Sequence, residues 1–318
     1  MLFALLKIPA KLAFGIYCRD IQIHNKAMLR SDGPLLIAAN HPNSFLDAII
    51  VATLFRQPVH SLARGDAFAN DLYSKLLQKF KMLPVYRISE GAQNLEHNYK
   101  TFDDCKNIFR KNGIVLIFCE GGCTNEWHLR PLKKGTARLA ITSWEDGIPL
   151  KVIPLGINYS SFYNFGKNVQ LNFGTIITQK DIDEGAYGKR ISLFNTNLQT
   201  QLQQLVIEID KTNPAAIKEK FAVPISTLKK TLLFLPAVLG WIIHAPLYYP
   251  LKKIIWLKTV HHDHFDSIMT GTLFFVYPFY LLAVALLCCW LIGGYWWITA
   301  FLLLPFFAWS YVQLKAQF

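Results

Sequence analysis

Short apolar runs bounded by polar and turn-forming residues recur through the first two thirds of the chain. Such runs are typical of buried strands, and longer stretches with apolar residues three and four positions apart are typical of helices. The pattern predicts strands over residues 35–39, 113–119, 152–157 and 169–173, and helices over residues 71–80, 98–111, 136–143 and 195–209. Because strands alternate with helices, we expect an α/β domain over residues 25–210, with a mainly parallel sheet flanked by helices.

The last part of the chain has a different pattern. Residues 271–312 contain no Asp, Glu, Lys or Arg, and Gly293 and Gly294 interrupt this run of 42 residues near its middle. A membrane-spanning helix needs about 20 apolar residues, so the run predicts a transmembrane hairpin over residues 271–314. The alternative, a buried helix pair of a soluble domain, would normally show a polar face.

Two other segments are also predicted to contact the membrane. Residues 231–250 contain Pro236 and Pro246 and have lysines on both sides, which predicts an interfacial or re-entrant segment; a third span is the alternative. Residues 211–230, just before it, form a predicted polar linker. Residues 1–24 begin with an apolar stretch that lacks a convincing cleavage site, so we expect an amphipathic segment at the membrane surface rather than a signal peptide.

The amino-acid composition limits the possible binding partners and the cellular compartment of the protein. The 318 residues are 52% hydrophobic and carry a formal net charge of +12, which suits an anionic bilayer and phosphate-bearing substrates. Nucleic acid would also attract this charge, but the chain contains no recognition motif for it. The six cysteines do not pair by spacing, so we expect a reduced domain that faces the cytoplasm and is attached to the cell (inner) membrane.

The main chemical signal is the segment PLLIAANHPNSFLD, in which an apolar run leads into a polar turn. His41 follows the carboxyl end of the predicted strand, where open α/β sheets hold their sites, and Asp47 lies six residues later. Residues six apart in one helix point about 240° apart, so these side chains can meet only because a turn intervenes. We therefore predict His41 as a general base and Asp47 as its orienting carboxylate. The alternative is that Asp47 only favours the helix N-terminus and His41 is an ordinary loop residue.

Two neighbouring features have simpler interpretations. Ser44 begins a capping pattern, so we predict that it caps the following helix rather than acts as a nucleophile. The segment HHDHFD at residues 261–266 contains several potential metal ligands, but no second ligand cluster accompanies it. We predict a polar connector at the membrane surface, and we expect neither a metal ion nor a cofactor.

Three further segments, together with the first, resemble the four sequence blocks of the phospholipid and glycerol acyltransferase family. They are LPVYR at residues 83–87, IFCEGG at 117–122 with RPLKKG at 130–135, and VIPLG at 152–156. The resemblance covers about residues 30–160. The five residues between His41 and Asp47, and the Glu-Gly-Gly sequence followed by Pro-Leu-Lys, resemble the branch that acylates glycerol-3-phosphate or dihydroxyacetone phosphate. The commonest family pattern has four intervening residues and reads Phe-Pro-Glu-Gly-Thr-Arg in the third block.

The resemblance implies a membrane-bound enzyme that moves a fatty acyl group from acyl-CoA or acyl-carrier protein to glycerol-3-phosphate. Lysophosphatidate or another lipid hydroxyl is the alternative acceptor, and a non-catalytic lipid-binding or scaffold protein is the alternative of another class. Arg87 matches the arginine that binds the acceptor phosphate, and a guanidinium can grip two oxygens. The predicted binding set is completed by the Glu-Gly-Gly residues, the turn residue and three basic residues: Glu120, Gly121, Gly122, Asn43, Arg130, Lys133 and Arg64.

Overall fold

The computed structural model describes residues 2–86, 97–182, 185–292 and 296–316 of the chain. Within these ranges the strands are β1 (Cys18–His24), β2 (Leu35–Ala39), β3 (Val59–Arg64), β4 (Met82–Val85), β5 (Ile114–Phe118), β6 (Lys151–Tyr159) and β7 (Lys167–Phe173). The helices are α1 (Leu2–Tyr17), α2 (Phe45–Leu54), α3 (Asp71–Lys79), α4 (His97–Arg110), α5 (Gly135–Glu145), α6 (Tyr187–Leu205), α7 (Pro214–Phe221), α8 (Thr227–Thr259), α9 (Phe265–Ile292) and α10 (Trp296–Leu314).

The seven strands form one sheet in the order β1-β7-β6-β2-β5-β3-β4. Strand β6 pairs with β7 in the antiparallel direction, and the other five pairs are parallel. The predicted fold class, a mainly parallel sheet flanked by helices, is therefore confirmed. Because β2 lies between β5 and β6, its carboxyl end meets the carboxyl ends of both neighbours. The residues that follow these three strands are thus brought to one edge of the sheet.

The two faces of the sheet are covered by different helices. All five residues of β2 are fully buried, as expected for a central strand of a parallel sheet with both faces covered. One face packs against Phe14 of α1 and against Leu46 and Ile50 of α2. The other face packs against Phe109 of α4, together with apolar residues of α5 and α6. The apolar residues of α2 thus fix this helix on the sheet, directly after the turn that carries the predicted dyad, His41 and Asp47.

Several predicted boundaries were wrong. Residues 18–24 were assigned to the membrane-surface segment, but they form the edge strand β1, which pairs with β7. The helix predicted over 195–209 begins at Tyr187 and ends at Leu205. The predicted linker 211–230 contains α7, whose first turn is capped by Asn213 through the backbone N–H of Ala216 at 3.1 Å.

Helices α8, α9 and α10 are long and apolar enough to cross a membrane. The predicted hairpin corresponds to α9 and α10. Residues 231–250 lie within α8, and Pro236 and Pro246 do not end this helix of 33 residues. At about 1.5 Å per residue, α8 is about 50 Å long.

Both ends of α8 are linked by contacts to the α/β domain. Near its start, Lys229 donates to the side chain of Gln313 at the end of α10 (2.7 Å), and Gln313 donates to the backbone oxygen of Arg19 in β1 (3.1 Å). Near its end, Trp256 packs edge-on against Tyr163 in the connection between β6 and β7, with ring centroids 5.7 Å apart. Both ends of α8 therefore lie close to the sheet domain.

Candidate active site

His41 lies two residues beyond the end of β2, in the position predicted for it. The preceding residue, Asn40, continues the strand pairing through its side chain, which accepts from the backbone N–H of Ile157 (2.7 Å) and donates to the oxygen of the same residue (3.0 Å). The imidazole ring stacks on Phe118, with centroids 3.7 Å apart and an interplanar angle of 10°. The side chain remains 17% exposed, so the ring is fixed but still accessible.

The structure brings His41 and Asp47 together. Nδ1 of His41 lies 2.8 Å from Oδ2 of Asp47. A carboxylate can only accept hydrogen bonds, so Nδ1 carries the proton and the other ring nitrogen, Nε2, is the basic atom. The arrangement is that of a general base oriented by a carboxylate.

Asp47 is fully buried and accepts two further hydrogen bonds. The backbone N–H of Asn43 donates to Oδ2 (2.8 Å) and the hydroxyl of Tyr159 donates to Oδ1 (2.8 Å). Burial, and then the negative charge of Asp47, raises the pKa of Tyr159 well above its usual value, so the phenol stays protonated and donates. Sequence reasoning missed Tyr159. The available signal was its position at the carboxyl end of β6, the strand next to β2.

Glu120 follows β5 and is buried beside His41. One carboxylate oxygen accepts from the backbone N–H of His41 and the other from that of Arg130, both at 2.8 Å. Burial raises the pKa of Glu120, although both backbone donors favour the charged form. We predicted that this carboxylate binds acceptor hydroxyls, whereas the structure shows it holding two backbone segments at the site. Gly121 follows with a φ of 67°, which favours glycine, and Gly122 continues the turn.

The predicted basic residues have different partners. The guanidinium of Arg130 donates to the hydroxyl of Thr124 (2.8 Å), and the backbone N–H of Thr124 donates to the oxygen of His41 (3.2 Å). Lys133 is exposed and passes Gly121 so closely that a Cβ at this glycine would lie 2.9 Å from the Lys133 Cγ. Arg64 is exposed and paired with Asp66. Arg87 lies outside the described residues.

One prediction about the turn was wrong, and a second residue of the turn has an unexpected partner. Ser44 occupies the N-cap position of α2, but its side chain makes no capping bond; its hydroxyl instead lies 2.8 Å from Nδ1 of His264. Asn43, which is predicted to contact substrate, is fully buried. Its side-chain amide donates to Oδ2 of Asp266 at 2.6 Å. Both side chains therefore contact the segment that leads into α9.

Asp266 forms a second buried centre next to the dyad. It accepts from the hydroxyl of Tyr17 (2.6 Å) and forms an ion pair with Lys167, and both members of the pair are fully buried. The segment 261–266 is thus more than a polar surface connector, since it reaches into the sheet domain. Among the described residues, no group of three or more His, Cys, Asp or Glu side chains could hold a metal ion.

The cysteines near the site are poorly suited to nucleophilic catalysis. All six cysteines of the chain are free thiols. Burial raises the pKa of Cys119 to about 12 and raises that of Cys123, next to Ser44, even further. The thiolate is the nucleophilic form, so both groups are held in the unreactive state.

An apolar cavity of about 650 Å³ lies between α1 and the three long C-terminal helices. Its lining includes Leu12 and Tyr17 of α1, Tyr248 of α8, Leu273 of α9 and Pro305 of α10. Tyr17 joins this cavity to the Asp266 centre through its hydroxyl. A cavity of this character suits a hydrocarbon chain.

Comparison with known proteins finds similarity to acyltransferases. Residues 20–158 match the model of a protein family described as Acyltransferase, and this segment includes His41, Asp47 and Glu120. Over 121 residues the chain is 26% identical to a 1-acyl-sn-glycerol-3-phosphate acyltransferase of Bacillus subtilis (strain 168), a match that covers 38% of this chain and 56% of the relative. The chain thus matches little more than half of that relative's length.

A solved structure is also similar. It is the 1-acyl-sn-glycerophosphate (LPA) acyltransferase PlsC from Thermotoga maritima, with a TM-score of 0.44 and 11% sequence identity; the match covers 64% of this chain and 78% of that one. The family match and the curated relative show that the segment around His41 and Asp47 is similar to acyltransferases.

Proposed function

We propose that the protein is a membrane-bound O-acyltransferase that transfers a fatty acyl group from a thioester donor to a phosphorylated glycerol. The observation that carries the proposal is the His41–Asp47 pair, with Nδ1 and Oδ2 2.8 Å apart at the carboxyl end of the central strand. The donor is acyl-CoA or acyl-carrier protein. The reaction uses no metal ion and no cofactor besides this co-substrate.

The chemistry follows from the dyad. Nε2 of His41 takes the proton of the acceptor hydroxyl while the hydroxyl oxygen attacks the carbonyl carbon of the thioester. Asp47 stabilises the imidazolium that forms. The tetrahedral intermediate then collapses and breaks the carbon–sulfur bond. The donor leaves readily as a thiolate because a thiol has a pKa of about 8.5, and the imidazolium of His41 returns the proton to the thiolate. His41 needs no covalent intermediate for this reaction. Arg130, next to Thr124, and Arg87 are proposed to bind the acceptor phosphate.

Two acceptors deserve direct comparison. The Glu-Gly-Gly sequence and the five-residue spacing favour glycerol-3-phosphate. The name of the Bacillus relative and the apolar cavity of about 650 Å³ favour 1-acyl-glycerol-3-phosphate, whose chain needs an apolar site. Both acceptors present a free glycerol hydroxyl and a phosphate, so the same dyad serves either reaction.

The contacts of the C-terminal helices support a hairpin topology. The start of α9 contacts the sheet domain through Asp266, and the end of α10 contacts it through Gln313. We propose that α9 and α10 cross the bilayer as a hairpin with both ends on the cytoplasmic side. Because both ends of α8 also contact structure on that side, α8 is proposed to be interfacial or re-entrant rather than a third span.

An acyl-transfer assay tests the proposal and its main rival, a non-catalytic lipid-binding protein. Purified protein in lipid nanodiscs is given radiolabelled acyl-CoA or acyl-carrier protein with either glycerol-3-phosphate or 1-acyl-glycerol-3-phosphate. We expect labelled product with one acceptor, and a rate at least 10² lower for His41→Ala, the usual scale for loss of a general base. His24→Ala, at the exposed end of the edge strand β1, is the control for loss of a histidine elsewhere. Equal rates for parent and His41→Ala would reject the mechanism, and no transfer by the parent would favour the rival.

A further inference from the structure

The catalytic turn, residues 41–47, is held by residues from the start of the membrane hairpin. Asp266 accepts from the side-chain amide of Asn43 (2.6 Å). The hydroxyl of Ser267 donates to the backbone oxygen of Asn43 (2.9 Å) and accepts from the backbone N–H of Leu46 (3.0 Å). These contacts join two segments that are more than 200 residues apart in sequence, because the Asn43–Asp266 separation is 223.

The catalytic turn needs such support because its backbone is strained. Ser44 has φ 52° and ψ −136°, a conformation that non-glycine residues rarely adopt and that persists only when the surroundings fix it. Its own side chain does not cap α2. Ser267 instead supplies an acceptor to Leu46, in the first turn of α2.

Asp266 is itself immobilised. It is fully buried and accepts from Lys167, Tyr17 and Asn43. Removing two charges from water offsets much of the Coulomb attraction between them, so a buried ion pair is a weak source of stability. What this pair does provide is a carboxylate in one fixed position, with three donors around it.

Asn43 joins the two buried carboxylates. Its backbone N–H donates to Oδ2 of Asp47, the same oxygen that binds His41, while its side chain donates to Asp266. We propose that Asp266 and Ser267 are positioning residues, through which the membrane hairpin holds Asn43, and thereby Asp47 and His41, in the geometry for proton transfer. This proposal rests on the proposed function of the dyad, and it assigns the C-terminal hairpin a part in catalysis besides anchoring.

A pair of matched double variants of the full chain in nanodiscs tests the proposal. Lys167→Met with Asp266→Asn removes both charges but keeps an oxygen that can accept from Asn43. Lys167→Met with Asp266→Leu removes the same charges and the acceptor as well. A neutral pair avoids an unpaired buried charge, which would destabilise any single variant. Ser267→Ala and Ser267→Thr form a second, milder pair that decides the question if the Leu variant does not fold.

Each variant is measured by hydrogen–deuterium exchange of the catalytic turn and by steady-state kinetics. We expect the Leu variant to exchange at least tenfold faster over residues 41–47 than the Asn variant and to lose at least tenfold in kcat, with KM within about twofold. The Asn variant should recover most of the parent kcat. Ser267→Ala should show the same changes to a smaller degree, and Ser267→Thr should not.

Equal exchange rates, or equal kcat values, for the Leu and Asn variants would overturn the proposal, as would a loss confined to KM. A purely structural role would change the unfolding temperature of the two double variants without separating their kcat values. If the parent protein transfers no acyl group, the proposed function fails, and the exchange rates of residues 41–47 alone decide whether Asp266 and Ser267 hold the turn.

Discussion

Replacing Asp47 by Asn tests how much the buried carboxylate contributes to catalysis. The amide has the same shape, and its oxygen can still accept from His41 and from the backbone of Asn43, whereas its NH₂ group would face Tyr159. What is lost is the negative charge of the Asp47 carboxylate, whose Oδ2 lies 2.8 Å from Nδ1 of His41. For charge centres about 4 Å apart and an effective dielectric constant of about 20, this attraction is about 4 kcal/mol. At about 1.4 kcal/mol per tenfold change, the expected loss of kcat is about 10³.

Tyr159→Phe is the matched comparison, because it removes one hydrogen bond to Asp47 and leaves the charge in place. We expect a loss of kcat below about tenfold for this variant, since the bond to His41 remains. The assay is single-turnover acyl transfer with saturating acceptor, with the unfolding temperature of each variant measured in parallel. If Asp47→Asn kept its rate within a few-fold of the parent while folded, the charge would have no catalytic role, and Asp47 would be only a helix N-terminal residue.

Three further predictions concern the acceptor, pH and topology. Arg87→Ala should raise the KM for the phosphorylated acceptor at least tenfold with little change for the acyl donor, and equal effects on both substrates would remove Arg87 from the acceptor site. Burial lowers the pKa of His264, so its folded arrangement is favoured above the unfolded value of about 6.5, and this contribution to stability is lost as the pH falls. Unfolding temperatures from pH 8 to pH 5 should therefore fall more for the parent than for His264→Asn, and parallel curves would contradict the assignment. Cysteine probes at residues 211 and 316 should react from the same side of sealed vesicles, whereas reaction from opposite sides would show an odd number of spans.

Most of the sheet could be predicted because its central strands are continuous apolar runs. β2 and β5 are buried on both faces, so every position must be apolar and the run stands out in the sequence. β1 was missed for the opposite reason. Its sequence, CRDIQIH, is mixed because an edge strand is only partly buried, and it follows directly on the apolar helix α1. No turn residue separates the two elements, so the pattern alone assigned both to one membrane-surface segment.

The site could be predicted only where it is local in sequence. His41 and Asp47 are six residues apart, and a turn between them is enough to bring them together. Tyr159 is 112 residues from Asp47, and Asp266 is 223 residues from Asn43. Those contacts depend on which strand lies beside β2 and on where α9 begins, and no local pattern contains this information. An acidic residue at the start of a long apolar run was the one sequence signal for Asp266, because ionisable residues there usually have a specific partner.

The ion pair between Lys167 and Asp266 has a consequence for how the protein is made. Lys167 is fully buried, and its countercharge lies 99 residues later in the chain. During synthesis β7 emerges well before α9, so the lysine cannot be buried at acceptable cost until the hairpin has been translated and delivered to the bilayer. Until then Asn43 and Leu46 also lack the partners that fix the strained turn. A chain that ends before α9 would therefore be unable to complete the His41–Asp47 site, so the proposed acyl transfer would require the C-terminal helices as well as the sheet domain.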